Sequence, residues 1–171
     1  IFKDLLIIEN KINYDSRGDF SEIYREDILN DFTNLKVNFT QTNLVRSNKN
    51  SIRGLHFQHP PFSQAKLITA IDGQIIDVAV DIRKDSKTYK QYFKFELNSN
   101  NNKSIFIPRG FAHGYLTLSD SATVLYHVDN LYSQQHEDGI KYDCKQLNID
   151  WGVENDLLIV SEKDKKLSFE F

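Results

Sequence analysis

The sequence is poor in several residue types, and each shortage narrows what the protein can be. Its 171 residues contain one cysteine, Cys144, no methionine and three prolines. A single cysteine excludes an intramolecular disulfide and favours a reducing compartment, so we expect a cytoplasmic protein. No apolar run reaches the length of a membrane-spanning helix, and the N-terminal residues do not resemble a signal peptide, so we expect no membrane partner. Because no methionine precedes Ile1, we also expect that an initiator residue or a short leader has been removed.

The charged residues are nearly balanced. Lysine and arginine total 21, aspartate and glutamate total 24, and the net charge is −3 at pH 7. This balance argues against non-specific binding of nucleic acids, which requires a basic surface, although it is compatible with a local basic pocket for one small anion. A chain of 171 residues can bury a core without a disulfide or a metal, so residues 1–171 are predicted to form a single domain.

Short apolar stretches separated by turn residues predict strands. Asp72 and Gly73 lie between two such stretches, which is the signal of a β-hairpin. Residues 92–107 predict a second pair of strands around an asparagine-rich turn. A third pair is predicted in residues 114–130, around a turn at Ser119 and Asp120.

Residue alternation and the scarcity of helical spacing indicate the fold class. Val78 and Val80 alternate with Asp77 and Asp81, which predicts one apolar and one polar face. Helical spacing is confined to residues 25–32, with at most a turn within residues 146–152. Many short antiparallel strands predict an all-β fold, and a double-sheet jelly roll with one or two short helices fits best.

Two histidine motifs raise the question of a metal site. The motif Pro108-Arg-Gly-Phe-Ala-His113 is similar to the second half of the cupin signature, so the jelly roll is expected to be of the cupin type. In the sequence pattern of a cupin metal site, a His-x-His pair is followed closely by a glutamate. Here His56 and His59 are three residues apart, which places them on opposite faces of a strand, and no glutamate follows. Since a transition metal needs three or four convergent ligands, we predict no metal.

Four residues carry groups suited to proton-transfer chemistry, but each has an ordinary structural explanation. His56 lies in a predicted strand, where a histidine commonly bonds to a neighbour. Lys66 begins a predicted strand, where an ammonium could stabilise an oxyanion, although most lysines are simply solvated. Tyr126 carries a donor hydroxyl that a core tyrosine would satisfy locally, and Asp164 lies in a charged tail. Taken singly, none of them establishes a function.

A series of short motifs nevertheless runs through the sequence in a specific order. In one-letter code they are DSRGDF (15–20), QTN (41–43), IRGLHFQ (52–58), QAKL (64–67), DVAVDIRK (77–84), IPRGFAHGY (107–115), LY (125–126), DNLY (129–132) and EDGI (137–140). With these motifs the sequence resembles the dTDP-4-dehydrorhamnose 3,5-epimerase family from about Asn13 to Lys165. The combination of RGLHFQ, QxKL and PxGFAHG in this order is highly specific.

The resemblance implies a reaction and a set of catalytic residues. The family exchanges protons at C3 and C5 of a nucleotide-linked 4-keto-6-deoxy sugar, and it needs neither a redox cofactor nor a metal. His56 is implied to be the general base, and Asp164 to be the carboxylate that orients it. Lys66 is implied to stabilise the enolate formed at the C4 ketone, and Tyr126 to be the acid on the opposite face. Asp77 is expected to pair with Lys66 and hold it.

The resemblance also implies a binding site and a partner. Tyr132 matches an aromatic residue that stacks on the base, and Arg17 and Glu22 are implied to act across the interface of a homodimer that exchanges an N-terminal strand. If Arg53 and His56 both face the pocket, strand alternation must fail between them, which predicts a bulge or kink near Gly54. The positions that match family residues for the nucleotide diphosphate, base and sugar are Arg17, Glu22, Gln41, Thr42, Asn43, Arg53, His113, Glu137 and Lys163.

Three departures from the family pattern leave alternatives open. His127, Leu131 and Gly152 replace a lysine, a tyrosine and a proline that are common in the family, mostly near the nucleotide end of the site. The substrate could therefore be a dTDP-linked hexose or a GDP-linked heptose, inverted at C3 alone or at both carbons. A non-catalytic sugar-nucleotide binding protein is the alternative from another class, and a metal-dependent cupin oxygenase is a third.

Overall fold

Residues 2–33 and 35–171 are described by the computed structural model, and they are built mainly from antiparallel strands. Helix α1 spans Glu26–Thr33, and two short 3₁₀ helices span Asn155–Leu157 and Asp164–Lys166. In chain order the strands are β1 (Leu6–Glu9), β2 (Ile12–Asp15), β3 (Gly18–Ser21), β4 (Gln41–Asn48), β5 (Ser51–Gln58), β6 (Lys66–Asp72), β7 (Gln74–Asp81), β8 (Tyr92–Asn98), β9 (Lys103–Ile107), β10 (Phe111–Thr117), β11 (Ser121–Val128), β12 (Glu137–Gly139) and β13 (Ile159–Val160).

Two sheets face each other as in a jelly roll. The first sheet has the strand order β1–β9–β6–β11–β4. The second has the order β12–β5–β10–β7–β8, with β13 paired beside β5, and β2 and β3 form a separate hairpin. The prediction of an all-β, double-sheet fold is confirmed.

Apolar side chains fill three layers, one between the sheets and one on the outer face of each. The layer between the sheets includes Ile68 and Val124 from the first sheet and Ile75 from the second. On the outer face of the second sheet, the C-terminal part of the chain contributes Trp151. On the outer face of the first sheet, α1 contributes Leu29. Both sheets are therefore covered on both faces, which explains why β6 and β7 are buried almost throughout.

The predicted strands exist, but the three predicted hairpins are wrong. The turn at Asp72 and Gly73 joins β6 of the first sheet to β7 of the second, and these strands do not pair with each other. The connections from β8 to β9 and from β10 to β11 likewise cross between the sheets. A turn dipeptide specifies a local reversal of the backbone, but it does not specify which sheet the next strand joins. At these three connections, consecutive strands lie in opposite sheets, whereas β7 and β8 are consecutive strands that do pair.

The predicted polar face of β7 is not exposed to solvent. Val78 and Val80 do face one apolar layer, as the alternation indicated. Asp77 and Asp81 alternate with them, but both are fully buried. Asp81 accepts hydrogen bonds from Arg83, Ser86 and Thr88, while Asp77 has a partner near the site described below. Alternation predicted that the two faces of β7 differ in polarity. Both faces are shielded from solvent, because the first sheet covers one face of the second sheet and the C-terminal part of the chain covers the other.

The bulge predicted near Gly54 is confirmed by the register of β5 and β10. His56 pairs with His113, and Arg53 pairs with Tyr115, so three steps along β5 match two steps along β10. Gly54 has φ +106°, and a Cβ atom there would lie 2.5 Å from the carbonyl oxygen of His113. Only glycine tolerates this combination of backbone angle and close approach. The extra residue turns both Arg53 and His56 away from the outer apolar layer.

The predicted helix and turn are close to the observed ones. Helix α1 begins and ends one residue later than residues 25–32, and residues 145–147 form the expected turn. The two 3₁₀ helices were not predicted. In the part of the chain that the structure describes, no helix has the length and hydropathy needed to cross a membrane.

Candidate active site

A cavity of about 330 Å³ brings together three of the four residues predicted to be catalytic. His56 enters it from β5 of the second sheet, whereas Lys66 and Tyr126 enter from β6 and β11 of the first. A ligand in the cavity would therefore meet an imidazole from one sheet and a phenol from the other. The remaining lining residues are Gln41, Asn43, Phe57, Gln58, Gln64, Val128, Tyr132 and Glu137.

His56 is oriented by Asp164, the fourth predicted catalytic residue. Its Nε2 lies 3.0 Å from Asp164 Oδ1, and the backbone amide of Gly54 donates to Asp164 Oδ2 over 3.0 Å. Asp164 is only 4% exposed. Burial alone would raise its pKa, but the hydrogen bonds from His56 and Gly54 outweigh burial and hold the pKa below the ordinary value. The carboxylate is thus ionised at neutral pH, so Nε2 carries the proton and Nδ1 is left as the basic nitrogen.

Lys66 is a buried lysine on the wall of the cavity. It is 8% exposed, and its Nζ donates to the carbonyl oxygen of His56 over 3.3 Å. Burial lowers the pKa of Lys66 to about 8, against the opposing fields of Asp77 and Glu137. The side chain is still mostly cationic at pH 7. The expected Lys66–Asp77 pair is wrong as a direct contact, because the described residues show no hydrogen bond or ion pair between the two.

Tyr126 presents a protonated phenol to the cavity. Alternation along β11 turns Tyr126 inward and His127 outward. Burial raises the pKa of Tyr126, and the nearby Arg53 guanidinium partly offsets this. At neutral pH the hydroxyl therefore retains its proton and can donate it.

A polar rim surrounds the mouth of the cavity. The backbone amide of Tyr132 donates to Gln41 Oε1 over 3.1 Å, and the Tyr132 hydroxyl donates to Glu137 over 2.7 Å. Glu137 also accepts two hydrogen bonds from Lys163, at 2.6 and 2.7 Å. The ring of Tyr132 remains about half exposed at the rim, in reach of a planar group entering from solvent.

Three predicted binding residues lie beside the cavity without lining it, namely Lys163, described above, Arg53 and His113. Arg53 Nε donates to Ser47 Oγ over 2.9 Å on the side of Tyr126. His113 is buried on β10, and its Nε2 lies 2.8 Å from Asp77 Oδ2. Arg53 is exposed to solvent, whereas His113 is enclosed, and neither lines the cavity.

Three other predicted binding residues are not brought to the cavity within this chain. Thr42 alternates with Gln41 and Asn43 and points outward, where its Oγ1 lies 2.8 Å from His127 Nδ1. Arg17 lies on the β2–β3 hairpin and pairs with Asp15. Glu22 lines a second, larger groove beside α1.

Two glutamines that were not predicted to be site residues organise the rim. Gln58 Nε2 donates to the carbonyl oxygens of Phe62 and Leu131, and Gln58 Oε1 accepts from the amide of Ser133. Gln64 Nε2 donates to the carbonyl oxygen of Asn130. Gln58 faces the same way as His56, two residues earlier on β5, and that alternation was available in the sequence. Among the residues that the structure describes, no group of three or more histidine, cysteine, aspartate or glutamate side chains could hold a metal ion.

Comparison with known proteins identifies the family. The family model described as dTDP-4-dehydrorhamnose 3,5-epimerase matches residues 1–169. The chain belongs to this family. It is therefore an isomerase of the carbohydrate-epimerase class, which argues against both the non-catalytic binding protein and the metal-dependent oxygenase.

Individual relatives agree with this assignment over most of their length. A dTDP-4-dehydrorhamnose 3,5-epimerase of Shigella flexneri is 42% identical over 161 residues, which cover 94% of this chain and 88% of the relative. A crystal structure of the enzyme so named from Elizabethkingia anophelis superposes with a TM-score of 0.93 at 39% identity, covering 96% of this chain and 90% of that one. An epimerase of Legionella pneumophila, solved with dTDP-4-keto-L-rhamnose, gives a TM-score of 0.92 at 37% identity, covering 97% and 87%.

Proposed function

We propose that this enzyme inverts C3 and C5 of a dTDP-linked 4-keto-6-deoxy sugar in the cavity that His56, Lys66 and Tyr126 share. The observation that carries the proposal is the placement of the imidazole and the phenol on facing sheets around one cavity of about 330 Å³. Inversion of a carbon centre requires removal of a proton from one face and return of a proton to the other. A base and an acid on opposite walls meet that requirement.

The first half of the reaction is proton abstraction. Hydrogens on C3 and C5 are acidic because the C4 carbonyl delocalises the resulting electron pair as an enolate. His56 Nδ1 takes the proton, and Asp164 stabilises the imidazolium that forms. The electron pair of the broken C–H bond moves onto the C4 oxygen, where the Lys66 ammonium stabilises the negative charge.

The second half is reprotonation from the opposite wall. The Tyr126 hydroxyl donates its proton to the carbon, the enolate returns to the ketone, and the centre is inverted. His56 then loses a proton to solvent and Tyr126 regains one, so the enzyme is restored without any redox change. The same pair can serve C3 and C5 in turn if the sugar ring reorients between the two steps.

The nucleotide is proposed to be a dTDP derivative bound at the rim. Tyr132 offers an exposed ring for stacking on the base, and Arg53 and Lys163 offer cationic groups for the diphosphate. The relatives described above carry dTDP in their names, and one was solved with a dTDP-linked 4-keto sugar. No observation favours the GDP-linked heptose that the sequence left open.

The function is tested by isotope exchange in heavy water. With dTDP-4-keto-6-deoxyglucose as substrate, we expect NMR spectroscopy to show deuterium at both C3 and C5 of the product. Deuterium at C3 alone would identify a 3-epimerase, and no uptake at either carbon would contradict the proposal. A parallel reaction with a GDP-linked 4-keto sugar is the control for the base, and we expect it to be at least ten times slower, about the discrimination that a few base contacts provide.

We further propose that the enzyme acts as a homodimer with an exchanged N-terminal strand. The groove beside α1 measures about 630 Å³ and is lined largely by apolar residues, including Ile28 and Phe32. The hairpin of β2 and β3 carries two exposed aromatic residues, Tyr14 and Phe20, which are 76% and 65% exposed. In addition β4 lies at the edge of the first sheet, where its outer side can accept another strand. A second copy of the chain would cover these surfaces and carry the partner's hairpin toward the cavity.

Subunit mixing tests whether Arg17 acts across the interface. Neither the Arg17→Ala variant nor the His56→Asn variant should be appreciably active alone. After the two are unfolded and refolded together, each mixed dimer has one site with both changes and one intact site. We therefore expect about a quarter of the wild-type activity to return.

The control mixes His56→Asn with Tyr126→Phe, whose changes both fall in a cavity built by one chain. Each site of such a mixed dimer carries one of the two changes, so activity should not return. A monomer in sedimentation experiments would contradict the dimer. A dimer without recovery in the Arg17 mixture would contradict the role of Arg17 across the interface.

Two properties of the chain as a whole complete the proposal. We propose a cytoplasmic location, which is supported by the single free cysteine, Cys144. We also propose that residues 1–171 form one domain, because both sheets contribute to the same apolar layer and to the same cavity.

A further inference from the structure

A buried aspartate lies behind the cavity without an obvious structural reason. Asp77 on β7 is fully buried, and its Oδ2 lies 2.8 Å from His113 Nε2. Its Oδ1 is also buried and has no hydrogen-bond partner among residues 2–33 and 35–171. A carboxylate that is taken out of water and only partly satisfied costs stability, so its retention calls for a compensating role.

His113 does not neutralise this carboxylate. Burial lowers the pKa of His113, against the opposing effect of Asp77, so the ring is neutral at pH 7. A neutral imidazole whose Nε2 donates to Asp77 fixes the position of the carboxylate but leaves the negative charge in place. The field of Asp77 is therefore available to another buried cation.

Lys66 is that cation, because its Nζ donates to the carbonyl oxygen of His56, and His56 is the register partner of His113, which bonds to Asp77. Glu137 also acts on Lys66, but Glu137 is already paired with Lys163 and accepts from Tyr132. The charge of Asp164 is similarly committed to His56. The titratable groups that surround Lys66 are Asp77 on β7, Glu137 on β12, His56 on β5, His113 on β10 and Tyr126 on β11.

We propose that Asp77, held in place by His113, is a positioning residue that keeps Lys66 cationic through its field and without direct contact. The proposal rests on the function proposed above, in which the Lys66 ammonium stabilises the enolate. A neutral amine would offer the C4 oxygen only a weak dipole. The absence of direct contact between Asp77 and Lys66 suits this role, because an ammonium held in a close ion pair would be less free to bind the enolate oxygen.

The test compares the titration of Lys66 in the wild type and in Asp77→Asn. Asparagine has nearly the same shape, and its side-chain oxygen still accepts from His113, but it carries no charge. With ¹⁵N-labelled lysine, the Nζ resonance of Lys66 is identified by its loss in Lys66→Arg. We expect its titration midpoint to fall by about one pH unit or more in Asp77→Asn, as when an opposite charge is removed from a buried site. The alkaline limb of kcat/KM should move by the same amount.

Asp81→Asn is the matched control. Asp81 lies on the same strand and is equally buried, but it bonds to Arg83, Ser86 and Thr88. Its loss should lower the melting temperature and leave the Lys66 midpoint unchanged. An unchanged midpoint in folded Asp77→Asn would overturn the proposal.

A second variant covers the case in which Asp77→Asn does not fold. The double variant Asp77→Leu/His113→Phe replaces the buried pair with apolar groups of similar volume, a change that buried ion pairs often tolerate. The Lys66 midpoint should again fall, and a midpoint that stays at the wild-type value would count against the proposal. Because the NMR titration needs no substrate, it also separates this inference from the proposed function. Absence of isotope exchange in the wild type would contradict the function alone.

Discussion

Replacement of His56 by asparagine is expected to lower the rate of deuterium exchange at C3 and C5 by about a thousandfold, which is roughly 4 kcal/mol in the activation barrier. Asparagine fills similar space and can still bond to Asp164, but it cannot accept a proton from carbon. The other ionisable group that lines this wall is Glu137, which is paired with Lys163 and accepts from Tyr132, and these contacts hold its pKa below the ordinary value. Affinity for dTDP should change by less than about threefold, since the base and diphosphate are proposed to bind at the rim. The measurements are NMR exchange rates and calorimetric titration with dTDP.

The sequence contains a matched control for this change. His59 forms a second histidine–aspartate pair, with its Nε2 3.0 Å from Asp138 Oδ2, at the same separation as in the His56–Asp164 pair. His59 does not line the cavity. His59→Asn should therefore leave exchange within about twofold of the wild type, as is usual for a surface change. Equal losses in the two variants, or exchange that survives in His56→Asn, would contradict the assignment of the base.

Replacement of Tyr126 by phenylalanine is expected to separate exchange from inversion. Without the hydroxyl, no proton can be delivered from the first sheet, so formation of the inverted product should fall by about a hundredfold or more. His56 and Lys66 are still present, so the enolate should still form. The imidazolium can return a proton or a deuteron to the face from which one was taken. We therefore expect the recovered substrate to gain deuterium with its configuration retained.

The possible results for Tyr126→Phe distinguish a role in reprotonation from a role in enolate formation. Chromatography quantifies the inverted product, and NMR spectroscopy quantifies deuterium in the unreacted sugar. Tyr142→Phe is the control, because Tyr142 packs in the apolar layer outside the second sheet and does not line the cavity. Normal inversion in Tyr126→Phe would exclude the phenol as the acid. Loss of exchange and inversion together would indicate that Tyr126 is needed for enolate formation, in contrast to the mechanism proposed here.

Much of the fold could be predicted because the relevant signals are local. Alternation and turn residues located β6 and β7 on either side of Gly73, and weak helical spacing located α1 within one residue. The bulge at Gly54 was predicted by combining the family resemblance, which placed Arg53 and His56 in one pocket, with the local rule that strand alternation separates residues three positions apart. In each case the pattern depends on residues that are close in the sequence, because backbone geometry alone fixes the directions in which neighbouring side chains point.

The candidate site was predictable to a lesser extent. Family motifs indicated His56, Lys66 and Tyr126, which line one cavity, and Asp164, which contacts His56. They included Gln58 without a role, although its three hydrogen bonds shape the rim, and they did not indicate the partner of Asp77. Apart from the bond between Gln58 and Phe62, those contacts join residues that are far apart in the sequence, so no local pattern records them.

The amino-acid sequence by itself determined the strands, their apolar faces, the bend at Gly54 and the chemical groups available for proton transfer. Only the tertiary structure decided that the turn at Gly73 crosses between sheets, that Asp77 is buried beside His113, and that the imidazole and the phenol face each other. The physical reason is that the pairing of strands and the burial of charge depend on which distant surfaces cover each face of a sheet. That covering comes from α1 and the C-terminal segment, and it arises only when the whole chain has folded.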